Sequence, residues 1–286
     1  MKFIKDQILK FFPTLDRMFR SIDSRQVMRT KNIRHIPAYD YRRGGKISYA
    51  EWAHVIGIFQ TLMYQQLPNN QPNKIVDIGC GTGLLAIAAQ PFVGEQGSFT
   101  GIDVKQNSIE FCRNQYQFPN YTFQHHQVYN EMYSAEQEKA FLPWRIETSS
   151  IDLVTAVSVW THLREEDAMF YMKEVARILK PKGKAIITFF YMDEEYETGL
   201  PKRKDKLGKF HGSNQKTWIF EQSAYGSSHW FTPAWTTTAE TAIGVDKIGM
   251  QQMLDHAELT VVAHYSGNWK ERPGIYFQDV MILEKN

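Results

Sequence analysis

Cysteine is nearly absent from this chain: its 286 residues hold only Cys80 and Cys112. Two thiols cannot build a disulfide framework. With one in a glycine loop and one on an expected helix, they read as reduced thiols in a cytoplasm. An excess of one charge is also lacking, with 33 Lys and Arg against 31 Asp and Glu and a formal net charge of +2. Binding to nucleic acid needs a clustered basic excess, so no nucleic-acid partner is expected. No apolar run approaches the roughly 20 residues of a membrane span. The start, Met1 to Lys5, lacks the continuous apolar core of a signal peptide. No Cys/His cluster exists and no histidine pair has ligand spacing on a helix, so no metal is expected. Repeats and low-complexity tracts are missing too. A composition of 43% hydrophobic and 22% charged residues excludes wholesale disorder.

What is present concentrates in residues 75–104. The run Ile75-Val76-Asp77-Ile78 reads as a buried strand and breaks into Gly79-Cys80-Gly81-Thr82-Gly83. Alternate glycines let the backbone turn sharply and approach a ligand closely. A second apolar run, Phe99-Thr100-Gly101-Ile102, ends at Asp103, followed by Val104. An acidic side chain at the tip of the next strand is placed to take the hydroxyls of a ribose. The pairing points to an adenosine-containing ligand. A nicotinamide dinucleotide is disfavoured, because its loop carries a third glycine where Leu84 stands here. Asp77 inside the strand also suits a cationic ligand group better than a diphosphate.

The rest of the chain alternates strand and helix patterns. Strands are expected at 74–78, 98–103, 121–126, 151–157, 184–190, 258–265 and 276–284. Helices are expected at 48–67, 84–90, 106–116, 164–179 and 246–257. This order predicts an α/β fold, a mostly parallel seven-stranded sheet with helices on both faces. The short Gly267 to Gly274 connection cannot hold a crossover helix, so the last strand should be antiparallel. Residues 1–45 form an expected N-terminal helical extension or lid, and residues 46–286 the main domain. Residues 1–20 alternate apolar and basic side chains, a pattern that also suits contact with a membrane surface, although ordinary packing explains it equally well. Residues 191–245 interrupt the rhythm between strands five and six with acidic, basic and then aromatic stretches. So long an interruption is expected to cover a substrate.

Asp77-Ile-Gly79-Cys-Gly81-Thr-Gly83, followed by Gly101-Ile-Asp103-Val104, resembles the class I S-adenosylmethionine-dependent methyltransferases. Ile151-Asp152-Leu153-Val154, Ser158-Val-Trp-Thr-His162-Leu163, Leu179-Lys-Pro-Lys-Gly183 and the ending Gln278 to Lys285 fit that family in order. The resemblance covers roughly residues 45–286 and implies a Rossmann-like fold. It implies that Gly79, Gly81 and Gly83 let S-adenosylmethionine pass and that Asp77 anchors its amino end. By the same resemblance Asp103 holds the ribose, and Val104 lies against the adenine with Val128 and Ala156 nearby. The family places an acidic residue after the third strand for the adenine amino group, where Gln127 stands here. A Gln carbonyl can accept the same bond without charge assistance.

The acceptor is narrowed by what is missing. After the fourth strand there is no Asn/Asp-Pro-Pro-aromatic signature of enzymes that methylate amino groups of nucleic acids and proteins, and no Pro-Cys nucleophile. A small, partly apolar molecule is therefore expected, as in secondary metabolism, with S-adenosyl-L-homocysteine as the other product. O-methylation needs a general base, and His162, after the fourth strand, is the first candidate. His229, among the aromatics of the insertion, is the second. His125 and His126 are adjacent on a strand, so at most one faces the site. Tyr129, just past that strand, could orient a substrate. N- or C-methylation of a small molecule, or a catalytically inactive scaffold or sensor that binds the cofactor, are the alternatives left open.

Overall fold

The structure, a computed structural model, describes residues 11, 13–18, 32–43, 47–67, 72–128 and 141–286. The amphipathic pattern at the very start of the chain and Tyr129 lie wholly or mostly outside these residues. A short helix over residues 13–18 (α1) and two 3-10 turns, Asn32–His35 and Tyr39–Tyr41, precede the first long helix, α2 (Tyr49–Gln66). Ser48 caps it by accepting from the Glu51 N–H at 3.1 Å, which satisfies one of the orphan donors of the first turn. Trp52, Val55, Ile56, Phe59, Leu62 and Met63 recur at helical spacing and are all buried.

The alternating elements follow as β1 (Lys74–Ile78), α3 (Leu84–Val93), β2 (Ser98–Asp103), α4 (Gln106–Gln115), β3 (Tyr121–His125), β4 (Ile151–Ala156), α5 (Glu165–Ile178) and β5 (Leu179–Met192). Then come α6 (Glu194–Gly199), β6 (Phe220–Ser223), β7 (Trp230–Pro233), β8 (Gly244–Asp246), α7 (Lys247–Ala257), β9 (Leu259–Tyr265) and β10 (Asp279–Lys285). Strands β3-β2-β1-β4-β5 run parallel in that order, and β10 enters antiparallel between β5 and β9. These seven strands are the expected sheet. Strand order reverses between β1 and β4, so a crevice opens at their carboxyl ends.

The insertion corrects the expected picture. Its β6, β7 and β8 extend the sheet to ten strands, because β5 is longer than its sequence pattern suggested. Lys184–Phe189 of β5 pair with β10, and Phe190–Met192 pair with β8, so the sheet forks after Phe189. Asp279 stands opposite Phe189 at the fork and is fully buried. Its carboxylate accepts from Trp269 Nε1 at 2.6 Å, Lys270 Nζ at 2.6 Å, His264 Nε2 at 2.9 Å and the Tyr191 N–H at 3.2 Å. Burial alone would raise its pKa, but these donors hold it below the ordinary carboxylate value. Asp193, His264 and Asp279 stand close enough together to hold a metal ion. The cation that the two carboxylates share is the Lys270 ammonium, 2.7 Å from Asp193 and 2.6 Å from Asp279.

The aromatic side chains of the insertion pack on one another and on rings that flank it. Phe190, Tyr196, Phe220 and Trp269 form a small core of their own, with Trp218 and Phe277 packed against it. Trp218 stacks on Phe190 with ring centroids 5.0 Å apart, and Trp235 meets Trp218 edge-on at 5.9 Å. Trp230 is buried instead in the main core beside α7 residues Met250 and Met253. These rings pack into the body of the domain.

Candidate functional site

The parallel register brings Ile78 level with Ile102 and Ala156, so the ends of β1, β2 and β4 share one edge. A cleft of about 330 Å³ opens there, and Gly79, Gly81, Asp103, Val104, Val128 and His162 are among its walls. That size is in the range of small-molecule sites.

The glycine loop is shaped by close approach. Gly79 and Gly81 both have positive φ, +66° and +50°, which side chains rarely adopt. A Cβ on Gly79 would strike Val159 Cγ2 at 2.5 Å, whereas one on Gly81 would enter open space with nothing within 4 Å. The cradle above Gly81 is what a ligand passing over bare backbone requires. Gly83 caps α3 against the Tyr116 ring and does not line the cleft.

Asp103 is oriented by the loop it faces. One carboxylate oxygen accepts from the Gly81 N–H at 2.7 Å, the other from the Lys105 N–H at 2.8 Å. Each oxygen keeps further acceptor capacity, as two ribose hydroxyls need. Burial raises its pKa, against the two N–H bonds that lower it. Asp77 sits beneath the loop, outside the cleft lining, where the Thr155 hydroxyl donates to it at 2.8 Å. Burial pushes its pKa up to about 8, opposed by the Thr155 bond and reinforced by the charge of Asp103. A buried carboxyl so raised is discharged at neutral pH, and a nearby ammonium would favour its ionised form.

The segment after β4 forms a further part of the wall. Ser158 adopts a left-handed φ of 58°, uncommon for a residue with a side chain. Its N–H donates to Thr188 Oγ1 at 2.8 Å and its hydroxyl to Gln278 Oε1 at 2.9 Å, which hold the turn in place. His162 follows in the 3-10 turn Trp160–His162 and lines the cleft. Its Nδ1 lies 2.7 Å from the Glu240 carbonyl oxygen. A carbonyl only accepts, so Nδ1 carries the proton and Nε2 carries the lone pair of the neutral ring. Burial lowers the His162 pKa below 6.5; the Glu240 carbonyl opposes this and the charge of Lys105 adds to it.

Other expected residues fall elsewhere. His229 lies outside the cleft, with Nδ1 3.0 Å from Asp246 Oδ2 at the start of α7. Gln127 is exposed and not part of the lining, while its neighbours His126 and Val128 are. Ala156 is fully buried in the sheet behind the wall formed by Val157 and Ser158. Of the adjacent histidines, His126 faces the cleft and His125 bonds the Val104 carbonyl at 3.0 Å. Burial pushes the His126 pKa down to about 4, so it is neutral there.

Sequence reasoning missed Trp144 and Tyr171, whose rings stack 5.2 Å apart in the cleft wall, with the Tyr171 hydroxyl 3.1 Å from His126 Nε2. Trp144 sits in irregular chain with no periodicity to announce it. Tyr171 reads as one more apolar position of α5. Arg43 also lines the cleft, so the N-terminal extension reaches the site. The extension is fastened there by Thr82, whose hydroxyl donates to the Tyr41 carbonyl at 2.6 Å.

Residues 75–183 match the family described as "Methyltransferase domain". A probable cobalt-precorrin-6B C(15)-methyltransferase of Thermoplasma acidophilum is 35% identical over 72 residues, 24% of this chain and 34% of that protein. The O-methyltransferase rstn1 of Aspergillus nomiae is 25% identical over 147 residues, 51% of this chain and 57% of that protein. The chain thus spans about a third and just over half of the length of these two relatives. Among solved structures, a SAM-dependent methyltransferase of Methanosarcina mazei superposes with a TM-score of 0.51 at 18% identity, covering 78% of this chain and 96% of that one. That likeness is one of fold.

Proposed function

We propose that the chain, whose residues 75–183 match a methyltransferase domain, is a class I S-adenosylmethionine-dependent methyltransferase that methylates a hydroxyl oxygen of a small, partly apolar molecule. The observation that carries the acceptor chemistry is His162, in the wall of the same cleft as the glycine loop, with its Nδ1 proton committed to the Glu240 carbonyl.

The residues around the cleft fit the cofactor. Asp103 would take the ribose hydroxyls, the cradle over Gly81 would let the chain between ribose and sulfonium pass, and Asp77 would answer the amino group from below. Val104 and Val128 offer apolar surface for the adenine. When bound, the sulfonium supplies an electrophilic methyl group and becomes a thioether as the carbon–oxygen bond of the product forms. The task left to this chain is alignment of the acceptor and removal of its proton. His162 Nε2 receives that proton, and a pKa held below 6.5 keeps the ring unprotonated, and so able to accept it, at neutral pH. Ile78, Val157, Val159 and Leu163 line the same cleft, which supports an acceptor with apolar surface.

The test is turnover of small hydroxylated acceptors, or of a metabolite extract, with a labelled methyl donor. Transfer to oxygen that His162→Ala reduces about a hundredfold, with cofactor affinity kept, is the expected result. A product labelled on nitrogen or carbon would replace this reading with the corresponding alternative. Cofactor binding without any transfer would favour the scaffold or sensor.

A further inference from the structure

The 191–245 insertion touches the cleft wall at one telling place, the backbone of Glu240. We propose that Glu240 is a positioning residue: its clamped carboxylate fixes the backbone carbonyl that selects the His162 tautomer, so the insertion sets the base. This rests on the reading of His162 as general base and adds a residue outside the matched domain segment.

Glu240 lies in the 3-10 turn Ala239–Thr241 and is only 2% exposed. Its two carboxylate oxygens are held by different donors. Arg164 Nε donates to Oε1 at 2.6 Å, and the Tyr225 hydroxyl donates to Oε2. Arg164 also lies over the Tyr225 ring, 4.0 Å from its centroid, so the donors brace each other. A buried carboxylate needs such pairing, and losing it would leave Arg164 and Tyr225 facing a gap. Arg164 follows His162 by two residues, so the clamp closes a short circuit. It runs from the His162 ring to the Glu240 carbonyl, through the Glu240 side chain, and back to Arg164. A second strap, the Ile243 N–H to the Thr161 carbonyl at 2.8 Å, keeps the two segments in register.

The consequence is chemical. With the carbonyl 2.7 Å from Nδ1, the proton must reside on Nδ1 and the lone pair on Nε2. If the turn relaxes, that constraint goes and the ring can place its proton on Nε2, which cannot then act as base. The wrong tautomer removes general-base function even where the ring stays in place.

The experiment is a long-range proton–nitrogen NMR spectrum of protein labelled with 15N-histidine, with His162 assigned by its loss in His162→Gln. The wild-type ring should show protonated Nδ1. In Glu240→Ala the spectrum should move toward the Nε2-protonated form, with kcat down about tenfold or more and the KM for S-adenosylmethionine unchanged. Glu240→Gln, which keeps two polar atoms in the clamp, should restore most of both. Tyr225→Phe, which removes one donor and leaves the backbone intact, should give an intermediate effect and keeps the test alive should Glu240→Ala not fold. Protonated Nε2 in the wild type, or a tautomer indifferent to Glu240→Ala, Glu240→Gln and Tyr225→Phe alike, would overturn the proposal. A tautomer that follows Glu240 while kcat does not would uphold the coupling and sink His162 as base.

Discussion

The glycine-loop region and the 191–245 insertion differ in composition and in where they turn their side chains. In the first, short runs at fixed spacing deliver Gly81, Asp103 and His162 to one edge of the sheet, where they share the cleft with apolar side chains such as Ile78, Val104 and Val128. In the second, an aromatic-rich stretch folds inward, and among the described residues none of 191–245 lines the cleft. The contrast teaches that aromatic density is no guide to a substrate cover. Rings bury themselves wherever partners are at hand, and here the fork in β5 supplies them.

The comparison can be broken at several points. The largest effect should be structural. Trp269 is fully buried in the insertion core and donates to Asp279. Trp269→Ala should cost about 3–5 kcal/mol in denaturant unfolding. Cofactor affinity, measured well below the unfolding transition, should be unchanged, and a matching loss of affinity would show that the two regions are not separable. Next comes His162→Ala, with turnover down about a hundredfold. In the wild type the acid limb of the pH–rate profile should lie below pH 6.5, since activity rises as His162 loses its proton and its pKa is lowered. A limb above 6.5 would remove His162 from the role.

Asp103→Ala should weaken S-adenosylmethionine or its demethylated product at least about tenfold by calorimetry, through the loss of two charge-assisted hydrogen bonds. Asp77→Asn should show a smaller, pH-dependent effect. The folded pKa of Asp77 is pushed up to about 8 from an ordinary 3.8, so the folded state keeps a proton that the unfolded chain releases. Wild-type stability therefore falls as pH rises through that window, and the ligand-free Asn variant should gain a few degrees in relative Tm by pH 8. The smallest effect belongs to His229→Ala, where turnover should change less than about twofold. A large loss there would return the insertion to the catalytic site.

The seven core strands and the flanking helices were legible because apolar periodicity and glycine or proline punctuation report local geometry directly. Asp103 was legible for the same reason, since a strand end next to a glycine loop in a parallel sheet has one place to be. Gln127 stands exposed outside the cleft lining, because alternation along the chain past β3 turns His126 and Val128 inward. The short strands β6 to β8 carry too few residues for any period to show. Trp144 and Glu240 were illegible altogether, because each acts through a contact made across the fold.

By itself the sequence determined the alternation of strands and helices, the antiparallel last strand and the glycine turn after β1, since these follow from backbone conformation and spacing within about thirty residues. Only the tertiary structure decided that His162 and His126 face the cleft and which His162 nitrogen carries the proton. The latter depends on a carbonyl 78 positions away along the chain, held by a buried carboxylate and its two donors, and such long-range hydrogen bonds leave no local pattern to read.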